Sequence, residues 1–288
     1  MLYGANPGVG VIRSPYSRVA PPGSAEGTAR LNQFVSDLLE ILGPCEGLWI
    51  PGITDTTTSG DKSRNARTLT YQPAALTGGM TPQGSGVYAN FAVASSEYAT
   101  TPDVDGLSFL TAFGAGADDD PFSAGILVKC ADYTLADIQA LYSKWDATTA
   151  SPKREWGAEI GTAGKFAFFM FDESSDGQIG VTYDTALTDG SPYLLGHSYD
   201  GGAQELGIKA YVNGARKATV TNSSGTYTAM ENLAVAGQIG ARILTTGSYG
   251  RFLGGGVGLA FVTRKQLLDD DWWRINVLTN AFFSLTLS

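Results

Sequence analysis

Basic runs are missing from this sequence. Lys and Arg number 19 against 28 Asp and Glu, a net charge of −9, and no stretch concentrates the cations. Binding to a phosphate backbone needs a positive patch that releases counterions, so nucleic acid is excluded as a partner. An anionic membrane surface is disfavoured for the same reason. Histidine is nearly absent too. His197 stands alone, which leaves Ser-His-Asp, Cys-His and multi-histidine metal chemistry little to draw on. In the run LLGHSYD it reads as a satisfied strand residue. Two cysteines, Cys45 and Cys130, cannot define a scaffold; they read as small buried thiols or as a single bridge. No apolar run reaches the ~20 residues of a spanning helix, so no membrane insertion is expected. The opening residues also lack the charged and apolar segments of a secretory signal, so the chain is not expected to be exported by itself.

What is present points to β-structure. The 288 residues are 43% hydrophobic and only 16% charged, with 37 glycines scattered between short apolar runs. That pattern predicts many tight turns rather than long helices. A chain of this size buries about 75% of its surface, so it needs no metal or disulfide staple. Residues 1–27 are rich in Gly, Pro, Ala and Ser and read as an extended arm. A helix is expected over residues 28–42, where Leu31, Phe34, Val35, Leu38, Leu39 and Leu42 recur at three- and four-residue spacing. Thr28 is its candidate N-cap and Gly43-Pro44 its stop. The stripe, led by Leu31, Phe34, Val35 and Leu38, packs either on the main domain or on another chain. Residues 1–45 thus read as an anchoring segment and residues 46–288 as the domain. From Glu46 onward, runs such as FSAGILVKC, KFAFFMF and ELGIKAYVNG alternate with Gly, Asp, Ser and Pro clusters. No helix-length pattern separates them, which predicts an all-β antiparallel sandwich.

The order of these runs carries a resemblance. GLW at 47–49 is followed by DKSRNA at 61–66, then by GSGVYANFAVASSEYATTPDVDGLSF at 84–109 and PFSAGILVK at 121–129. YSKWD (142–146), REW (154–156), GKFAFFMFD (164–172), SPYLLGHSYDGG (191–202), IKAYVNG (208–214), QIGA (238–241) and FLGGGVGLAFVTRKQL (252–267) complete the series. This series resembles the laminin-G-like branch of the concanavalin A-like lectin/glucanase superfamily, over about 240 residues. The resemblance implies a jelly roll of two antiparallel sheets with six or seven strands each. It also implies that Trp49, Trp145, Trp156 and Tyr211 help fill the space between the sheets.

Chemistry is harder to find. Glycosidases need two carboxylates about 5–5.5 Å apart on one strand face, hence an alternating acidic signature that this sequence lacks. Asp118, Asp119 and Asp120 are adjacent, so they do not share a face. Asp269, Asp270 and Asp271 would suit a helix N-terminus. Gly254–Gly256 is not followed by a helix carrying Lys-Ser/Thr, which excludes a phosphate cradle. The chain reads as a non-enzyme.

Relatives in the resembled family often hold calcium at a sandwich rim, and calcium is the one cofactor this implies. Its candidate ligands are Asp55, Asp61, Ser63 and Asn65, all hard oxygen donors. Lys62, Arg64 and Arg67 interrupt that loop, so Asp61 also reads as the cap of an Asx turn. For sugar stacking the candidates are Tyr183, Tyr193, Tyr199, Tyr227 and Tyr249 in turn-rich segments.

The leading expectation is a structural or adhesive virion protein of a bacteriophage, such as a capsid decoration, fibre or tail component. It would be assembled in the host cytoplasm, displayed on the particle surface and anchored by its arm. Its partners would be other virion proteins or copies of itself, together with host-surface glycans. A freestanding carbohydrate-binding lectin is the alternative.

Overall fold

The computed structural model describes residues 19–111 and 118–287. Most of the arm expected ahead of the helix therefore lies outside the described residues. Two antiparallel sheets pack face to face, as the all-β reading predicts. The first has eight strands. Seven follow the order Ala215–Arg216, Lys209–Val212, Pro192–Tyr199, Phe122–Cys130, Gly255–Thr263, Gly86–Phe91 and Met80–Gln83, and Cys45–Trp49 also pairs with Gly255–Thr263.

The second sheet has eleven strands. Its central path is Thr219–Thr221, Gly177–Tyr183, Phe166–Asp172, Lys153–Ile160, Gln139–Asp146, Gly237–Ile239, Tyr98–Thr101, Leu69–Gln72 and Thr58–Ser59. A small hairpin, Arg242–Ile243 with Tyr249–Gly250, attaches beside Asp146. The counts exceed six or seven because two- and three-residue strands extend the edges of both sheets.

Alternation along the strands sorts side chains to the two faces. On Phe166–Asp172, residues Phe166, Phe168 and Met170 enter the core between the sheets, while Phe169 and Phe171 point outward. Trp49, Trp156, Phe109 and Phe122 fill that core, the last two stacked at 4.0 Å. Trp145 does not join them. A bulge near Leu141 shifts the register of its strand, and Trp145 emerges on the outer face beside Phe169 and Phe171. Tyr211 also leaves the inter-sheet space, for the outer side of the first sheet.

That outer side is roofed by two helices, a third layer. Helix α1 (Ala25–Leu42) begins three residues earlier than the apolar spacing indicates, with Ser24 Oγ accepting from Gly27 N–H at 3.0 Å. A side chain at Gly27 would place its Cβ 2.2 Å from the Pro21 carbonyl oxygen, so this glycine permits the tight entry into the helix. Gly43, at φ +65°, ends α1 as expected.

A second helix, α2 (Asp269–Phe283), adds to the single helix read from the sequence. Three aspartates fill its first turn, where the helix dipole favours negative charge. Trp272 lies flat on the first sheet, where a Cβ at Gly196 would come within 1.9 Å of its ring. Its indole N–H donates to Ser198 Oγ at 2.8 Å. No helix among the described residues is long and apolar enough to cross a membrane.

Candidate functional site

The DKSRNA loop binds its own backbone. Asp61 Oδ1 accepts from the N–H groups of Leu48 and Ser63, and Oδ2 accepts from Ser63 Oγ and Arg67 N–H, all between 2.7 and 2.9 Å. Asp55 makes the same kind of turn with Thr57 and Thr58. Asn65 turns its amide to the Cys45 carbonyl at 2.8 Å. Both oxygens of each candidate carboxylate thus face donors, which is the Asx-turn reading of this loop. Among the described residues no three His, Cys, Asp or Glu side chains gather as a metal site would require. Asp61→Ala is expected to destabilise the protein by about 2–3 kcal/mol in urea unfolding, because several backbone donors lose their acceptor. A chelator is expected to leave the wild-type midpoint where it was.

The five tyrosines differ in how much of the ring they leave open. Tyr199 is fully enclosed, and its hydroxyl donates to Asp119 Oδ2 at 2.7 Å, so it has no face left for a sugar. The Tyr227 hydroxyl meets the same oxygen at 2.6 Å, while Met230 N–H donates to Asp119 Oδ1. Burial pushes the Asp119 carboxyl above its usual range, and the tyrosine hydroxyls oppose that shift. Tyr183 and Tyr193 are half-buried against the inter-sheet core, and Tyr193 meets Tyr133 edge-on. Tyr249 stacks on Tyr98 at 4.1 Å. His197 is equally enclosed. Its Nδ1 lies 3.0 Å from the Tyr142 hydroxyl, and desolvation holds the imidazole well below its ordinary range, so it stays neutral. Cys45 and Cys130 are free, buried thiols.

The apolar stripe of α1 is used inside the chain. Phe34 stacks on Phe282 at 4.3 Å, and Leu38 is buried beside it, with Leu31 and Val35 half-covered at the margin. Of the two partners the stripe allowed, it takes the sandwich.

The outer face of the second sheet is also occupied by its own chain. The Arg154 guanidinium lies 3.7 Å from the Phe171 ring centre and pairs with Glu173. Arg242 sits over Trp145 and Phe169, and pairs with Glu159 at 2.7 Å. These aromatic faces are therefore covered by cations held in ion pairs.

Among the described residues, one large aromatic side chain is exposed. Trp273 is 52% exposed at a cleft of about 130 Å³ between α1 and α2, lined by Asp37, Glu40, Ile41, Arg274 and Val277. Adjacent residues on a helix point about 100° apart. Because Trp272 belongs to the buried stripe with Ile275, Phe282 and Phe283, Trp273 must face away from it. The doublet in DDDWW carried this signal, which a search among the tyrosines passes over. Arg274 reaches Glu40 at 3.4 Å across the cleft. An indole face flanked by carboxylates and a guanidinium is the constellation that stacks on a sugar ring and bonds its hydroxyls. A wider cleft of about 410 Å³, lined by Leu39, Pro44, Glu46, Arg64 and Asn65, has no aromatic wall.

No family model and no curated protein matches this sequence. Solved structures do match in fold. The receptor-binding domain of botulinum neurotoxin type G aligns at a TM-score of 0.50 and 12% identity, covering 82% of this chain and 52% of that one. The serotype D binding domain gives 0.53 at 8% identity, covering 84% and 52%. A structure described as showing that cell entry of botulinum neurotoxin type C depends on interaction with two ganglioside molecules gives 0.54 at 11% identity, covering 85% and 53%. This chain spans about half the length of each. At these identities the likeness is one of fold.

Proposed function

We propose that this chain is a non-enzymatic glycan-binding β-sandwich whose sugar-stacking surface is Trp273. The observation that carries the reading is the half-exposed indole set among Asp37, Glu40 and Arg274. The fold supports it, since it is shared by the receptor-binding domain of botulinum neurotoxin type G and by a structure described as showing that cell entry of the type C toxin depends on interaction with two ganglioside molecules. Recognition falls to a ring face and a few polar groups, with no reacting pair of carboxylates required.

A glycan array is the direct test. Binding to one or more glycans is expected, with at least about tenfold weaker affinity in Trp273→Ala, the loss typical of an aromatic anchor. Absence of any glycan binding, or full binding by the variant, would overturn the assignment. Carriage on a bacteriophage particle is the finer form of this proposal. It rests on the sequence ahead of α1, since α1 itself is built into the sandwich. Electron microscopy of the native assembly tests it independently.

A further inference from the structure

Lys144 is an enclosed cation, and both it and Glu155 are 0% exposed. A bulge creates the pairing. Lys144 stands opposite Trp156 and Trp145 opposite Arg154, which leaves Glu155 as the extra residue with its carboxyl on the amine. The Lys144 Nζ lies 2.5 Å from Glu155 Oε1, 3.2 Å from Asp103 Oδ1, 2.6 Å from Ser108 Oγ and 2.9 Å from the Leu233 carbonyl. One amine therefore faces two carboxyls of different character. Burial pushes Glu155 up to about 7, with Lys144 opposing the shift, and Glu155 Oε2 has no hydrogen-bond partner. Asp103 is 39% exposed on the segment after strand Tyr98–Thr101, with its carboxyl open to water on one side.

We infer that Lys144 and Asp103 join in an intramolecular isopeptide bond, with Glu155 as the proton carrier. Glu155 takes a proton from the Lys144 ammonium and frees the electron pair on Nζ. That pair attacks Asp103 Cγ and forms the N–C bond. One Cγ–O bond then breaks, and the oxygen leaves as water with two of the three Nζ protons, which pass by way of Glu155. Ammonium plus carboxylate becomes amide plus water, and no oxidant or co-reactant enters. Well-oriented intramolecular reactions reach effective molarities of roughly 10⁵–10⁸ M, so holding the amine against this carboxyl favours condensation over its counterpart in free solution. The solvent-facing side of Asp103 gives the water an exit.

The test is the intact mass of the denatured full chain after incubation at pH 7. The wild type is expected to be lighter than its sequence by one water, and digestion is expected to yield a branched peptide joining residues 103 and 144. Asp103→Ala changes a partly exposed loop position and is expected to fold with its full sequence mass; Glu155→Gln is expected to retain the water as well. A folded wild type at full sequence mass overturns the inference. Loss of water that persists in Asp103→Ala also overturns it, by placing the dehydration elsewhere, for example at an aspartyl-glycine step such as Asp105-Gly106.

Discussion

Phe34→Ala is expected to lower the stability of the whole sandwich by about 3–5 kcal/mol, the range for truncating a buried phenylalanine. The reason lies in what the ring touches. It stacks on Phe282, meets Phe283 edge-on, and is fully buried in the layer that roofs the first sheet. Beneath it are Leu127, Leu259 and Phe261, strand residues that would otherwise face water. Losing the ring leaves a void in close-packed surroundings, which relax only in part. Leu31→Ala and Val35→Ala, at half-covered positions, are expected to cost about 1 kcal/mol each. A single cooperative transition in denaturant, shifted far more by Phe34→Ala than by the other two, is the predicted pattern. An α1 that served only as a detachable anchor would leave the strand transition unmoved in all three variants.

In an Asp103→Ala background, where Lys144 keeps its charge, Lys144→Met is expected to cost about 3–5 kcal/mol near pH 7, because it strands an enclosed carboxyl without its cation. The pH dependence identifies the cause. With the Lys144 ammonium beside it, burial already raises the folded-state pKa of Glu155 to about 7 from 4.5. A carboxyl whose folded pKa is raised opposes folding above its unfolded pKa, and that opposition fades as pH falls. Without Lys144 the folded pKa rises further, so the variant's deficit should shrink by up to about 1.4 kcal/mol per pH unit as pH falls toward 7 and level off below it, where both folded forms hold the proton. Adding Glu155→Leu should recover most of the loss at pH 7, since an apolar pair often replaces a buried ion pair at little cost. A deficit that does not change with pH would assign the effect to packing.

The sandwich was legible because its strands declare themselves twice, in glycine-rich breaks and in apolar runs. The stop at Gly43-Pro44 and the self-capping of Asp61 were legible for the same local reasons. Helix α2 was harder to see because Asn276 and Thr279 occupy its buried side and dilute the apolar stripe. The side taken by Trp145 depends on a bulge, and a one-residue shift reverses which face a strand side chain meets. No local pattern encodes that shift. Likewise, whether a tyrosine near a turn keeps its ring free depends on the partner its hydroxyl finds. For Tyr199 and Tyr227 that partner is Asp119, about 80 and 108 residues away in sequence.

The glycines beneath Trp272 have a reach beyond their own packing. Gly196 and Gly125 leave a bare patch on neighbouring strands, and the indole that settles there acts as a key in a slot. A key fixes rotation as well as position. With one indole seated, α2 cannot roll about its axis, and the bearing of the next residue is set to within the play of a helical turn. Trp273 therefore takes its aim from two missing side chains in the sheet, about 100° around the helix from the cleft it serves.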